Sequence, residues 1–327
     1  MTFAGPGLFD LQVNGFAGVD FNDPATTPEM VQRALEAMRR HGVTRCLPTL
    51  ITSPFEEFAR CARNVLAAAH PSVVGLHMEG PYIHPADGPR GAHRREAVRP
   101  PDLDDFLRRQ EAAQGRIRLV TLAPEMPGAP ALIERLVETG VRVAIGHSDA
   151  TPAQIAAAVR AGATISTHLG NGCAGMLPRH PNLLWAQMAA DELTACLIVD
   201  GHHLPAETVK VMIRAKTPAR VALVTDATAA ADAPPGRYTV GGQTIERDEA
   251  GRVTLPGGAT LAGSALTLDR AVELTVRFAG VTLAEAWGMA SHRPAALLGL
   301  EPAGRVTAEW NEQRLRFESL QVAEADG

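Results

Sequence analysis

Val73-Val74-Gly75-Leu76-His77-Met78-Glu79-Gly80-Pro81 is the stretch whose reading decides the fold. Its Val and Leu residues favour a buried strand, and Gly80-Pro81 ends it, because proline has no N–H to give to a β-ladder. Glu79 therefore closes an apolar strand, where a carboxylate is costly unless a cation or a hydrogen-bond donor meets it. Three later segments end in the same manner. Val141–Gly146 runs into His147, Ala163–Thr167 into His168, and Val221–Thr225 into Asp226. One Glu, two His and one Asp at the carboxyl ends of four apolar strands describe a metal site, provided the strands belong to one barrel.

The remaining segments supply that barrel. Leu8–Val13, Val43–Thr49, Ile117–Leu122 and Thr194–Val199 are the other four expected strands. Helical patterns alternate with them. Thr27-Pro28 offers an N-cap and a first-turn proline ahead of apolar Met30, Val31, Leu35 and Met38. Further helices are expected over 54–69, 102–113, 131–138, 152–161 and 205–214, with another after Pro181. Eight strands alternating with helices predict an α/β fold, a closed (β/α)8 TIM-type barrel over residues 6–300. An open doubly wound sheet is the alternative, but it gathers fewer strand ends around one crevice. After Asp226 the pattern changes. Tyr238–Ile245 and Arg252–Leu255 alternate around Gly-rich turns and predict a β-hairpin excursion within 227–266, before helices resume near Leu268 and Ala284. Residues 301–327 form a tail in which Arg314–Val322 alternates like an exposed strand.

Bulk properties narrow the classes of function. A chain of 327 residues that is 46% hydrophobic can bury a sizeable core, and a net charge of −5 leaves no electrostatic footprint for nucleic acid. No apolar run reaches the length of a membrane span. Cys46, Cys61, Cys173 and Cys196 are scattered without a CxxC pair and read as reduced thiols. Met1–Pro6 lacks the basic and apolar regions of a signal peptide, so a cytoplasmic protein is expected.

Carboxylate and imidazole together suit a divalent transition metal, zinc or iron, with an open position for water. Asp226 is either the acid/base that moves a proton from activated water to a leaving amine, or one more ligand. Arg179 sits between Pro178 and His180 with a guanidinium that matches a phosphate fork, although a lone loop Arg is more often solvated. Asn171-Gly172 adds an amide and an unobstructed backbone N–H close to a ligand. Of His202 and His203, one can contact substrate while the other serves as a solvated loop residue. Lysine occurs only at Lys210 and Lys216, on or just beyond the helix before the eighth strand. No strand-end lysine is thus available to bridge two metals, and Gln12-Val13-Asn14 stands where metal hydrolases with two ions on this barrel carry His-x-His. One metal ion per chain is the expectation.

Pro6–Gly15, Leu47-Pro48-Thr49, Leu76–Pro81, Gly91-Ala92-His93, Gly146-His147-Ser148, Thr167-His168-Leu169, Asp200–His203, Val224–Ala227 and Leu261–Ser264 run in order over nearly the whole chain. In these segments the sequence resembles the amidohydrolase superfamily and, within it, the N-acetylglucosamine-6-phosphate deacetylase family. The resemblance implies removal of acetate from N-acetylglucosamine 6-phosphate to give glucosamine 6-phosphate. Two alternatives stand beside it: another N-acyl substrate such as N-acetylgalactosamine 6-phosphate, and a non-catalytic sugar-phosphate binding protein that kept the barrel. The intact Glu, His, His, Asp set argues against the second. The resemblance further implies metal ligation by Glu79, His147 and His168, catalysis by Asp226 and by His93, which touches the substrate beside the scissile acetamide, with Ala92 also binding substrate. Asn171, Gly172, Arg179 and His203 match positions that hold the sugar phosphate, and Leu261, Ala262 and Gly263 match a loop that lines the sugar. In the family the matching Arg reaches in from a partner subunit, which implies a homodimer, and Gln12 with Asn14 fits the one-metal branch. Where the family reads His-Leu-Phe-Asn-Ala-Met, this chain has His168-Leu169-Gly170-Asn171-Gly172-Cys173, which alters the pocket wall. The family also begins with half of a small β-sandwich, whereas here the chain is read as starting at the first barrel strand. That second domain is expected to be reduced or absent.

Overall fold

Each apolar strand pairs in parallel with the one before it. In the computed structural model, which describes residues 1–258 and 260–323, the barrel strands are Leu8–Val13, Val43–Ile51, Leu76–Glu79, Ile117–Leu122, Arg142–Ile145, Ile165–Ser166, Thr194–Leu197 and Val221–Leu223. They are hydrogen-bonded in sequence order. The ring closes between the first and eighth strands. Val13 pairs in parallel with Ala227, the Asn14 N–H donates to the Ala227 carbonyl at 2.7 Å, and the Asp226 N–H donates to the Gln12 carbonyl at 2.8 Å. Asp10 reinforces this seam from a buried position. Its carboxylate accepts the Thr225 hydroxyl at 2.5 Å and the backbone N–H groups of Thr225 and Gln12 at 3.2 Å each. The expected TIM-type barrel is the observed fold.

Helices cover the outside of the barrel for the reasons their sequences suggest. In Pro28–Arg40 the Thr27 hydroxyl caps the Met30 N–H, and Val31, Ala34, Leu35, Ala37 and Met38 form the buried face. Each fully buried Val or Leu side chain contributes about 1.5–3 kcal/mol relative to exposure. Pro152–Arg160 opens with a capping box between Thr151 and Gln154, and Asn182 caps Leu183–Ala189. No helix among the described residues is long and apolar enough to cross a membrane.

Three strands stop before their apolar runs end. His147, His168 and Asp226 have φ values of 52, 27 and 50°. A non-glycine residue in this left-handed region leaves the ladder, at a cost on the order of 1–3 kcal/mol, and persists only where its surroundings hold it. The departure re-aims each side chain into the mouth of the barrel.

Two regions differ from the sequence expectation. The excursion after Asp226 contains three antiparallel strands, Gly236–Val240, Gln243–Arg247 and Val253–Thr254. A small second core of Ile51, Ala230, Val240, Ile245, Val253 and Ala262 seats it on the barrel. At the other end, the chain does not begin at the barrel. Thr2–Pro6 pairs antiparallel with Arg305–Asn311, which in turn pairs with Arg316–Val322. Gly5-Pro6 conceals the first of these strands in the sequence, yet proline is tolerated at a sheet edge, where its missing N–H costs no ladder bond. Trp287 anchors this sheet: its indole N–H donates to the Pro6 carbonyl at 2.9 Å, and its ring lies 4.9 Å from that of Phe3. Residue 259 of the expected excursion and residues 324–327 of the expected tail lie outside the described residues.

Burial pushes Asp10 up to about 7 in spite of the hydrogen bonds from Thr225 and Gln12. A carboxyl with a raised folded value holds its proton longer in the fold than in the unfolded chain. Its contribution to stability therefore falls as pH rises from about 4 to about 7. Asp10→Ala is expected to lower the urea-unfolding free energy at pH 5 by about 1–3 kcal/mol, since the Thr225 donors lose their acceptor. An unchanged midpoint would mean that the backbone bonds alone hold the seam.

Candidate active site

Glu79 ends the third strand pointing inward, and the two histidines converge on it. Glu79 Oε1 stands 3.2 Å from His147 Nε2 and 3.1 Å from His168 Nε2, and the two imidazole nitrogens are 3.1 Å apart. All three side chains are buried. His147 Nδ1 donates to the Pro89 carbonyl at 2.8 Å, which leaves its Nε2 as a lone pair aimed at the other two atoms. Buried lone pairs this close repel unless a proton or cation lies among them. Donors bonded to one zinc at about 2.0–2.1 Å stand about 3.3 Å apart at a tetrahedral angle, so this triangle fits a single divalent ion. Burial alone would raise Glu79, but the two imidazoles beside it, His147 and His168, outweigh that and hold it well below the ordinary carboxylate range.

Two amides from the first strand link this triangle to Asp226. Gln12 Nε2 donates to Glu79 Oε1 at 2.8 Å and to Asp226 Oδ1 at 3.2 Å, while Asn14 Nδ2 donates to Asp226 Oδ1 at 2.6 Å. Asp226 Oδ1 is thereby fully engaged, and the carboxylate borders the cavity. Burial first, then the negative charge of Glu79, push Asp226 up to about 6, a value suited to taking and returning a proton near neutrality. The lysines play no part here. Lys216 is buried and donates its ammonium to the Gln187 and Ala190 carbonyls at 3.0 and 2.6 Å, closing the end of Leu183–Ala189.

The loop after the third strand brings in His93. Arg90 shapes that loop by donating to the His93 carbonyl at 2.6 Å and the Gly91 carbonyl at 3.3 Å. His93 Nδ1 lies 2.7 Å from the Thr52 hydroxyl, and Nε2 lies 3.8 Å from Glu79 Oε2. Burial, then the neighbouring His147, hold His93 well below the usual imidazole value, so the ring is neutral. Thr52 has no signature in the sequence, because a threonine after a strand is unremarkable until the fold sets a histidine beside it.

Above these groups opens a cavity of about 720 Å³. Ala92 and His93, Asn171 and Gly172, His203, and Leu261-Ala262-Gly263 reach its wall from four separate segments. Gly172, at φ 56°, brings its backbone so close that a Cβ would stand 3.0 Å from both His147 Nδ1 and His168 Cε1. His203 is held by Asp200, whose Oδ2 lies 2.7 Å from its Nδ1. Arg179 is not gathered in; it is exposed and lies outside the cavity of its own chain. His202 does not line the cavity either, its Nε2 lying 3.1 Å from the Ala250 carbonyl. Arg252, unmarked in the sequence except as part of a strand, does line the cavity.

The family model described as the amidohydrolase family matches residues 3–310. The chain belongs to the amidohydrolase family. It is therefore a hydrolase of carbon–nitrogen bonds, and the site just described is that of an amidohydrolase able to hold a metal ion. Within the family it falls with the N-acetylglucosamine-6-phosphate deacetylases. It is 34% identical over 307 residues to the N-acetylglucosamine-6-phosphate deacetylase of Lysinibacillus sphaericus, covering 92% of this chain and 78% of that protein. It is 38% identical over 305 residues to the N-acetylgalactosamine-6-phosphate deacetylase of Escherichia coli O157:H7, covering 90% and 78%. Its fold is similar to that of a mutant N-acetyl-D-glucosamine-6-phosphate deacetylase from Mycobacterium smegmatis in complex with N-acetyl-D-glucosamine-6-phosphate. That match has a TM-score of 0.90 at 31% identity, covering 98% of this chain and 85% of the other.

Purified amidohydrolase is expected to carry one divalent ion per chain by elemental analysis. His147→Ala should lose most of it, because the two remaining donors cannot offset dehydration of the ion. Full metal content in that variant would place the ion elsewhere.

Proposed function

We propose that this amidohydrolase removes acetate from N-acetylglucosamine 6-phosphate to give glucosamine 6-phosphate. The observation that carries the reading is the convergence of Glu79, His147, His168 and Asp226 at one cavity, in a chain similar over nine-tenths of its length to deacetylases of phosphorylated amino sugars. A divalent ion held by Glu79, His147 and His168, zinc by preference for this donor set and iron as the alternative, supplies Lewis acidity to the scissile carbonyl and to water. The protein's own groups move the protons. Asp226, oriented by Gln12 and Asn14, takes a proton from water as the water oxygen adds to the carbonyl carbon. It then delivers that proton to the amide nitrogen as the C–N bond breaks, releasing acetate and a free amine. Neutral His93, held by the Thr52 hydroxyl at Nδ1, donates a hydrogen bond to the carbonyl oxygen in the tautomer that carries its proton on Nε2.

Asn171, Gly172 and His203 hold the phosphate in this reading, while Ala92, Leu261, Ala262 and Gly263 wall the sugar. Arg179 completes the phosphate site from the partner subunit of a homodimer. Its exposed position supports that arrangement, as do Met176, 92% exposed on the same loop, and Trp185, 53% exposed on the helix that follows. Four free thiols support a reducing, cytoplasmic setting. N-acetylgalactosamine 6-phosphate is the second reading, favoured by the similarity to the Escherichia coli enzyme.

Asp226→Asn should retain its metal and lose turnover by about 10²–10⁴-fold, since an amide cannot shuttle a proton; near-normal turnover would leave Asp226 a structural residue. Acetate release should be compared across N-acetylglucosamine, its 6-phosphate and the 6-phosphate of the galactosamine epimer. The glucosamine 6-phosphate precursor is expected to give the highest kcat/KM. Equal efficiency with and without phosphate would overturn the phosphorylated-substrate reading, and preference for the epimer would move the assignment to it.

A further inference from the structure

Arg252 precedes the last strand of the excursion, half-buried, and among the described residues it is the one Arg or Lys that lines the active-site cavity. The same residue also lines a surface cleft together with Arg237 and Arg247. The carboxylates of that cleft are engaged with other groups. Asp248 Oδ1 accepts the backbone N–H of Arg252 at 2.8 Å, and Glu246 takes the guanidinium of Arg237 at 3.0 Å. No ion pair or hydrogen bond to the Arg252 guanidinium is found among the described residues. The turn before it is tied down by His202, whose Nε2 lies 3.1 Å from the Ala250 carbonyl, and the neighbouring His203 lines the same cavity. Arg252, whose guanidinium has no partner among the described residues, and His203 thus line one cavity from separate segments.

We propose that Arg252 is a phosphate ligand supplied by the chain's own excursion, and so a specificity-determining residue of this amidohydrolase. The inference rests on the phosphorylated-substrate reading. A dianionic phosphate taken out of water is costly to hold unless a cation and hydrogen-bond donors meet it. Arg179 provides none within a single chain. Arg252 does, with a planar fork whose charge-assisted bonds suit phosphate oxygens and with no carboxylate among the described residues to displace first. Its contribution is therefore gained on binding and applies to ground and transition states alike, which places the effect in KM.

The test measures acetate release from N-acetylglucosamine 6-phosphate and from N-acetylglucosamine by wild type, Arg252→Ala and Arg252→Lys. Arg252→Ala should raise KM for the phosphorylated sugar by roughly tenfold to a hundredfold with kcat little changed, and leave kcat/KM for the unphosphorylated sugar as it was. Arg252→Lys should recover part of the loss, keeping the charge without the fork. If wild type prefers the phosphorylated sugar and Arg252→Ala does so equally, the inference falls and the phosphate reading stands. Wild type that does not discriminate removes both. Equal losses on the two sugars would make Arg252 a structural residue and overturn its role in specificity.

Discussion

The seam between the first and eighth barrel strands is the constraint on which the site depends. Asp10 clasps Thr225, the Asp226 N–H meets the Gln12 carbonyl, and Asn14 pairs with Ala227. Each of these contacts joins strands more than two hundred residues apart in sequence. Gln12 and Asn14 can donate to Asp226, and Gln12 can reach Glu79, only because this seam sets the two strand ends side by side. Barrel closure and the hydrogen bonding of Asp226 are therefore one structural fact.

The rest of the site is built against local preference. His147, His168 and Asp226 all leave their strands in the left-handed region, where a side chain with a Cβ is disfavoured. Two buried imidazoles face one carboxylate across about 3 Å, and the neutral imidazole of His93 lies beside them, tilted, with its ring centre 4.2 Å from that of His147. Such an arrangement is costly in an empty fold and stabilised by an ion, so metal affinity and stability are linked. Gly172 belongs to the same economy of space, since a Cβ there would crowd His147 and His168 at 3.0 Å. The excursion adds the final wall, anchored by its own small core and carrying Leu261–Gly263 and Arg252 to the cavity.

Much of this was legible in the sequence because it lies in short-range pattern. Apolar runs ending in Glu79, His147, His168 and Asp226 specify strands with functional ends, and parallel strands linked by amphipathic helices have few topologies open to them. Gln12 and Asn14 signalled the absence of a histidine pair, and the two lysines were too far from any strand end to bridge metals. What the sequence could not carry is whatever depends on long-range meeting. Thr52 orients His93 from a loop forty-one residues away, and Thr2–Pro6 becomes a strand only through Arg305–Asn311. Arg179 and Arg252 look alike as loop or hairpin arginines, yet folding leaves one in solvent and sets the other against the cavity. Residue type and periodicity determined the barrel and the polar residues at its strand ends, since those follow from burial and backbone geometry along the chain. Tertiary structure alone decided which neutral groups orient them and which arginine lines the cavity, since a hydrogen bond or a shared cavity exists only once distant segments are in contact.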